Sequence, residues 1–222
     1  MANVNLCCQL IIIKAKEGVL QMTTVTLIGD SIIDNVVYVP PPGQSVLGHL
    51  FTQKPDWDFN QRAIDGDTTV DVLKRQLDSP IDAPTVLSIG GNDLLKRFDI
   101  LSSQERKLAT EVLEQLHSEV GAFQNRHSEI LSSFSERALV CTIYNPVFSK
   151  DPDLKPLQNA AEMAIAIFND AIQQNVRRFG FDLLELREIF IEEDDFANPI
   201  EPSDQGGAKL AKEIAHWLGN KQ

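Results

Sequence analysis

The chain has 222 residues, 43% hydrophobic and 23% charged, a globular composition with enough length to bury one sizeable core. Its net charge of −12 argues against nucleic acid or an anionic membrane as a main partner, because both require clustered Lys and Arg. The three cysteines, of which Cys7 and Cys8 are adjacent, do not make a disulfide framework, and we expect a reducing, cytoplasmic location.

The first 21 residues do not follow the pattern of the rest of the chain. Their apolar run LCCQLIII lacks a preceding basic segment and is too short to span a membrane. We interpret residues 1–21 as an extension upstream of the domain, for which a misplaced start is one explanation. The alternative is an additional edge strand at 10–13. Residues 22–222 predict a single domain with no transmembrane segment.

Short apolar runs alternate with amphipathic helical patterns from Met22 onwards. The predicted strands are 25–28, 58–62, 86–89, 138–143 and 181–184. The predicted helices are 46–51, 69–77, 157–179 and 207–218, together with a long helix that starts at a Ser-x-x-Glu capping box at 102–105 and runs toward Asn125. This alternation predicts an α/β fold, a three-layer α/β/α sandwich around a central, mostly five-stranded parallel sheet of the flavodoxin-like type.

In such a sheet the functional site lies at the carboxyl ends of the strands, so the loops after the strands are examined first. The first loop contains Gly29-Asp30-Ser31, where a serine can present both its hydroxyl and its backbone N–H to one space. The alternative is an ordinary serine at a helix N-cap. The serine is therefore a candidate nucleophile.

Two further loops add candidate hydrogen-bond donors. Gly66, after the second strand, allows the backbone to approach a substrate and offer its N–H. Asn92, after two glycines at the end of the third strand, has a side-chain amide that can donate to a developing oxyanion. Taken singly, both loops are also explained as ordinary turns at the start of a helix.

Together the three loops resemble the nucleophile, glycine and asparagine blocks of the SGNH (GDSL) hydrolases, a family of esterases, thioesterases and related acyl hydrolases on a three-layer α/β/α fold. The match covers residues 24–218. The resemblance implies Ser31 as nucleophile, and an oxyanion hole formed by the Ser31 N–H, the Gly66 N–H and the Asn92 side chain. It implies a small acyl-ester or acetylated small-molecule substrate. The sequence contains no metal-ligand cluster, and we predict no cofactor.

The sequence departs from that family just before its last helix. The family carries Asp-x-x-His there, whereas this chain has Asn-Pro-Ile-Glu at 198–201. We interpret Glu201 as a non-standard base and predict that the Asn198 amide donates to its carboxylate. Glutamate is weaker than histidine by about 2 pKa units, a difference that burial can reduce. The alternative is a catalytically impaired protein that keeps the cleft for ligand binding.

The remaining candidates concern the surroundings of this base. Arg187 could pair with Glu201, which would give that acid a structural role. Among the histidines, His49 is the one placed where it could serve as the base instead of Glu201. We assign Asp30, Asp93, Tyr144 and Asn145 to the substrate-binding surface. For Asp93 the alternative role is to orient a loop by accepting backbone N–H bonds.

Overall fold

Five short strands form a parallel sheet in the computed structural model, which describes residues 23–78, 80–102, 108–149 and 151–220. The strands are β1 (Thr23–Gly29), β2 (Trp57–Gln61), β3 (Thr85–Ser88), β4 (Ala138–Cys141) and β5 (Asp182–Leu184), in the order β2-β1-β3-β4-β5. This topology confirms the predicted α/β fold, and each strand begins and ends within two residues of the predicted position. The interpreted extension at 1–21 and the alternative edge strand at 10–13 lie outside the described residues.

Seven helices connect or flank the strands among the described residues. They are α1 (Val46–Gln53), α2 (Thr69–Arg75), α3 (Gly91–Leu95), α4 (Asp99–Ser102), α5 (Ala109–Ser132), α6 (Gln158–Phe179) and α7 (Asp204–Gly219). Single 3₁₀ turns occur at Val36–Tyr38, Lys155–Leu157, Leu186–Glu188 and Glu193–Asp195. Within the part of the chain that the structure describes, no helix is both long and apolar enough to cross a membrane.

The long helix α5 starts and ends later than predicted. Ser102, the first residue of the predicted capping box, ends the short helix α4 instead, and residues 103–107 are not among those described. At the start of α5 the Glu111 carboxylate accepts the Leu108 N–H at 3.0 Å. This is one half of a capping box, six residues further along the chain than predicted, because the leucine side chain has no acceptor for the other half. The helix then continues to Ser132.

The sheet is covered on both faces, which is why its strands are nearly continuous apolar runs. On one face, α1 and α7 pack together over strand side chains such as Leu27, Val86 and Leu139. On the opposite face, α2, α5 and α6 cover Ile28, Leu87 and Val140 and bury an aromatic pair, Phe123 and Phe168, whose ring centroids are 4.9 Å apart.

The strand order reverses direction between β1 and β3, which are neighbours in the sheet although β2 separates them in the chain. A crevice opens at the carboxyl ends of the strands at such a point. The loops containing Ser31 and Asn92 follow β1 and β3 and therefore meet there.

The last helix, α7, begins at Asp204 rather than at the predicted residue 207, because the Ser203 hydroxyl caps the helix by accepting the Gly206 N–H at 3.2 Å.

Candidate active site

The candidate nucleophile Ser31 lies on a tight turn that leaves β1 at Gly29. Gly29 has a φ of 144°, and a side chain there would collide with the Ser88 carbonyl of β3, so only glycine fits. The Asp30 N–H donates to that carbonyl at 3.2 Å, and the Asp30 carboxylate accepts the Ile32 N–H at 3.1 Å. Ser31 is 5% exposed, and its position is thereby fixed at the upper edge of the sheet.

A glutamine that the sequence analysis did not single out connects this turn to the glycine loop. Gln76, just after α2, accepts the Gly29 N–H at 2.9 Å and donates its side-chain amide to the Gly29 carbonyl at 2.8 Å. The same amide donates to the Asp67 carboxylate at 2.7 Å, which is also paired with Arg75. A glutamine at the end of an amphipathic helix gives no signal of such a long-range contact in one sequence.

The candidate oxyanion donors are connected to each other through Asp67. The Asn92 side-chain amide donates one of its two hydrogens to the Asp67 carbonyl at 3.1 Å, which leaves the second hydrogen for a ligand. Gly66, one residue before, has a φ of 82° and open space beside its Cα. No hydrogen bond among the described residues uses the Gly66 N–H as donor. Both groups are therefore available as donors.

A cavity lies beside Ser31 at the carboxyl ends of β3 and β4. It encloses about 720 Å³, counting the part open to solvent. Ser31 and Asn92 both line it, whereas Gly66 does not. Its walls are predominantly apolar side chains, including Ile89, Leu94, Phe98, Ile143, Phe148 and Ile165. Walls of this kind suit a small apolar ligand or an acyl chain.

The four residues assigned to substrate binding divide into two groups. Asp30 and Tyr144 line the cavity, and burial raises the pKa of the Asp30 carboxyl well above its ordinary value, with a further contribution from Glu201. Asn145 is half-buried and does not line the cavity.

Asp93 also lies away from the cavity and has the alternative role stated for it. Its carboxylate accepts the Thr69 N–H at 2.9 Å and the Thr69 hydroxyl at 2.5 Å, and it pairs with Arg126 at 3.2 Å. These contacts hold the start of α2, which follows the Gly66 loop, against α3. The assignment of Asp93 to substrate binding is therefore replaced by a role in orienting a loop.

The candidate base Glu201 stands at the end of a short hairpin. Phe196 and Pro202 form an antiparallel bridge, and the Ala197 N–H donates to the Glu201 carbonyl at 2.8 Å. The Asn198 side-chain oxygen accepts the N–H groups of Ile200 and Glu201, each at 3.0 Å. This differs from the predicted donation by the Asn198 amide to the Glu201 carboxylate. Asn198 is exposed and shapes the turn, so it holds Glu201 through the backbone and not through the carboxylate.

The Glu201 carboxylate is buried against the serine. Glu201 is 7% exposed, and burial raises its pKa from 4.5 to about 7. A hydrogen bond from the Ser31 hydroxyl acts in the opposite direction, and the charge of Asp65 adds to the increase. One carboxylate oxygen, Oε2, is buried without a hydrogen-bond partner among the described residues. A carboxylate that is poorly stabilised as an anion and touches a hydroxyl is suited to accept its proton.

The alternative partners for these two groups are engaged elsewhere. Arg187 pairs with Glu185 through two bonds of 2.7 and 2.6 Å, so it does not hold Glu201 ionised. His49 pairs with the Asp204 carboxylate at 2.7 Å, on the side of α7 that faces α1. No histidine is among the described residues that line the cavity. The described residues also contain no group of three or more His, Cys, Asp and Glu suited to a metal ion.

Comparison with known proteins gives a family and a set of fold relatives. The sequence profile of the GDSL-like Lipase/Acylhydrolase family matches residues 27–209. A search of curated proteins returns no match.

Solved structures with the same fold include an extracellular lipase from Streptomyces rimosus (TM-score 0.64, 14% identity, 87% of this chain and 99% of that chain). They also include phospholipase A1 from Streptomyces albidoflavus NA297 (TM-score 0.64, 13% identity, 90% and 100%). A third is a mutant of an acetyl-xylooligosaccharide esterase from Geobacillus stearothermophilus (TM-score 0.61, 14% identity, 90% and 95%). At these identities the likeness shows the fold alone.

Proposed function

Since the chain belongs to the GDSL-like Lipase/Acylhydrolase family, we propose that it is a serine esterase that cleaves an acyl ester through Ser31, with Glu201 as base. The observation that carries this proposal is a buried carboxylate, that of Glu201, whose pKa is raised to about 7 by burial and is lowered in part by its interaction with the Ser31 hydroxyl. That contact lies beside an apolar cavity that Asn92 also lines.

In the first half of the reaction, Glu201 takes the proton of the Ser31 hydroxyl while the serine oxygen bonds to the acyl carbon. The carbonyl oxygen becomes an oxyanion, which the N–H groups of Ser31 and Gly66 and the Asn92 amide receive. When the tetrahedral intermediate collapses, the bond to the alcohol breaks and the leaving alkoxide takes the proton from Glu201. The product is an alcohol and an acyl-serine.

In the second half, water replaces the alcohol. Glu201 accepts a proton from the water while the water oxygen bonds to the acyl carbon, and the same donors receive the oxyanion. Collapse of this intermediate breaks the bond to the Ser31 oxygen, which regains the proton from Glu201. A free carboxylic acid leaves, and the site returns to its starting state.

Burial compensates for most of the weakness of a carboxylate base. A pKa of about 7 is close to the reference value of about 6.5 for histidine, so the driving force for proton transfer is similar. The remaining difference is electrostatic. A protonated histidine is a cation beside the oxyanion, whereas protonated Glu201 is neutral, so the donors of the oxyanion hole carry more of the stabilisation.

The cavity indicates the kind of acyl group. Its predominantly apolar walls favour a hydrocarbon acyl chain, because such a chain removes more apolar surface from water there than an acetyl group does. An acetylated small molecule is the second substrate class, supported by the acetyl-xylooligosaccharide esterase among the structures with the same fold. The alternative to an enzyme is a ligand-binding protein with impaired catalysis, which the missing histidine and the position of Gly66 outside the cavity favour.

The test is covalent labelling with an alkyl fluorophosphonate probe, followed by hydrolysis of p-nitrophenyl esters. We expect the wild type to be labelled at Ser31, and Ser31→Ala to lose labelling and essentially all hydrolysis. Ser102→Ala is the matched control, because this exposed serine donates only to the Phe98 carbonyl. Labelling that persists in Ser31→Ala would contradict the proposed nucleophile, and a wild type that neither labels nor hydrolyses would favour the ligand-binding protein.

A further inference from the structure

A tyrosine joins the wall of the cavity to the hairpin that carries the base. The Tyr144 hydroxyl donates to the Ile200 carbonyl at 2.5 Å, and the side chains of both residues line the cavity. Ile200 is the residue directly before Glu201. A ligand in the cavity therefore touches the segment that holds the proton acceptor of Ser31.

The hairpin has few other attachments on this side. The Val147 N–H donates to the Pro199 carbonyl at 2.8 Å, which is a second bond between the loop after β4 and the hairpin. The Tyr144 ring is itself held by two aromatic contacts, with centroids 4.6 Å from Phe190 and 5.2 Å from Phe196. The tyrosine is thus packed against the hairpin through Phe196 as well as bonded to it at Ile200.

We propose that Tyr144 is a positioning residue that couples occupation of the cavity to the placement of Glu201, so that acyl chains long enough to fill the cavity react faster. This inference rests on the proposed esterase function. An acyl chain that packs against the Tyr144 ring and the Ile200 side chain restrains the hairpin. The Glu201 carboxylate is then held within hydrogen-bond reach of the Ser31 hydroxyl, which raises kcat rather than affinity.

The phenol keeps its proton throughout the neutral range, as this role requires. Burial raises the pKa of Tyr144 well above its ordinary value, and the Glu201 and Asp30 carboxyls add to the increase. The hydroxyl is therefore a hydrogen-bond donor at every pH at which Glu201 changes its protonation.

The experiment measures kcat and KM separately for p-nitrophenyl esters from acetate to octanoate, in the wild type and in Tyr144→Phe. We expect kcat of the wild type to rise severalfold with chain length until the cavity is filled. Tyr144→Phe keeps the ring and the cavity shape but loses the bond to Ile200. We expect it to lower kcat about tenfold for the longer esters, to remove the rise, and to change KM by less than about twofold.

Thr85→Val is the matched control for the loss of a buried hydroxyl. The Thr85 hydroxyl also donates to a backbone carbonyl, that of Ala83 at 2.9 Å, but at the opposite end of the sheet. We expect this variant to retain the wild-type kcat and its dependence on chain length. Ile200→Ala supplies a second test should Tyr144→Phe fail to fold, because it leaves the hydroxyl bond in place, removes the cavity contact and is expected to flatten the dependence.

Each outcome decides the inference. If folded Tyr144→Phe, or Ile200→Ala in its place, shows the wild-type kcat profile, the coupling is overturned while the esterase function stands. A wild-type kcat that is constant with chain length overturns it equally. If hydrolysis does not depend on Ser31, the proposed function fails, and this inference fails with it.

Discussion

Asp195 and Glu201 are two buried carboxyl groups in the segment that precedes α7. Asp195 stabilises the fold, whereas Glu201 is the proposed base. Asp195 is 0% exposed and Glu201 is 7% exposed, so burial alone would raise the pKa of both. In the structure the pKa of Asp195 is lowered, whereas that of Glu201 is raised to about 7. Their surroundings, and not their burial, make the difference.

The surroundings of Asp195 supply many donors. Its carboxylate accepts the N–H groups of Ile191 and Glu192 at 3.1 and 3.0 Å, the Gln205 amide at 3.0 Å and the Lys209 ammonium at 2.8 Å. These bonds outweigh the desolvation, so the Asp195 carboxylate is a stable anion that binds the loop before α7 to that helix.

Glu201 has none of these partners: it faces the Ser31 hydroxyl, and its Oε2 is without a partner among the described residues. The comparison teaches that a buried carboxyl keeps a raised pKa, as the proposed role of Glu201 requires, where the fold withholds donors and cations from it.

The largest effect that tests this contrast is on catalysis. Glu201→Gln keeps the size of the side chain but removes the proton acceptor, and we expect kcat/KM to fall about a thousandfold. The measurement is hydrolysis of p-nitrophenyl butyrate near pH 8, where Glu201 of the wild type is largely ionised. Turnover within a few-fold of the wild type would contradict the role of Glu201 as base.

The second effect is on stability, with opposite signs for the two acids. Asp195→Asn weakens the bond to Lys209 and leaves that cation without its counter-charge, and we expect a loss of about 2 kcal/mol in the free energy of unfolding.

For Glu201, a pKa that rises from 4.5 in the unfolded chain to about 7 on folding favours the folded state fully below pH 4.5, and this contribution is lost as the pH rises through 7. Glu201→Gln should therefore match the wild type at pH 4 and exceed it by about 3 kcal/mol at pH 8. Urea unfolding of both variants at the two pH values measures these differences. If Glu201→Gln is less stable than the wild type at pH 8, the ionised Glu201 carboxylate stabilises the fold, as that of Asp195 does.

The smallest effect is a shift in the pH profile. Because the base must be ionised, kcat/KM should fall tenfold per pH unit below about pH 7 and level off above it. Asp65 lies at the surface and raises the pKa of Glu201 through its charge. We expect Asp65→Asn, which can still accept the Tyr38 hydroxyl bond, to move the midpoint down by a few tenths of a unit at low salt and by less at high salt. A midpoint near pH 4.5 in the wild type would remove the basis of the comparison.

The sequence was sufficient for the sheet and for the positions of the loops. Short apolar runs such as 86–89, each followed by turn residues, predict buried strands. The carboxyl ends of parallel strands share one edge, so Ser31 and Asn92 could be placed together from the sequence. The start of α5 could not be predicted from its capping box, because the same Ser-x-x-Glu pattern also fits the end of a short helix such as α4.

The orientation of polar side chains was less predictable than their location. A single sequence does not show which end of the Asn198 amide faces its neighbour, and the oxygen, not the nitrogen, is engaged. Asp93 follows a strand, as a ligand-binding residue would, but its rotation toward Thr69 depends on how α2 packs. The Tyr144 bond to Ile200 joins residues far apart in the chain and leaves no periodic trace.

Gln76 has a consequence for protein engineering. Its side chain accepts the Gly29 N–H and donates to the Gly29 carbonyl while also donating to Asp67, a combination that only an uncharged amide of this length provides. The serine and glycine loops therefore form one unit that should be kept whole when libraries are designed. Randomisation aimed at new substrates belongs on the apolar wall of the cavity, at positions such as Leu94, Phe98 and Ile165, which lie outside this unit and outside the hairpin that carries Glu201.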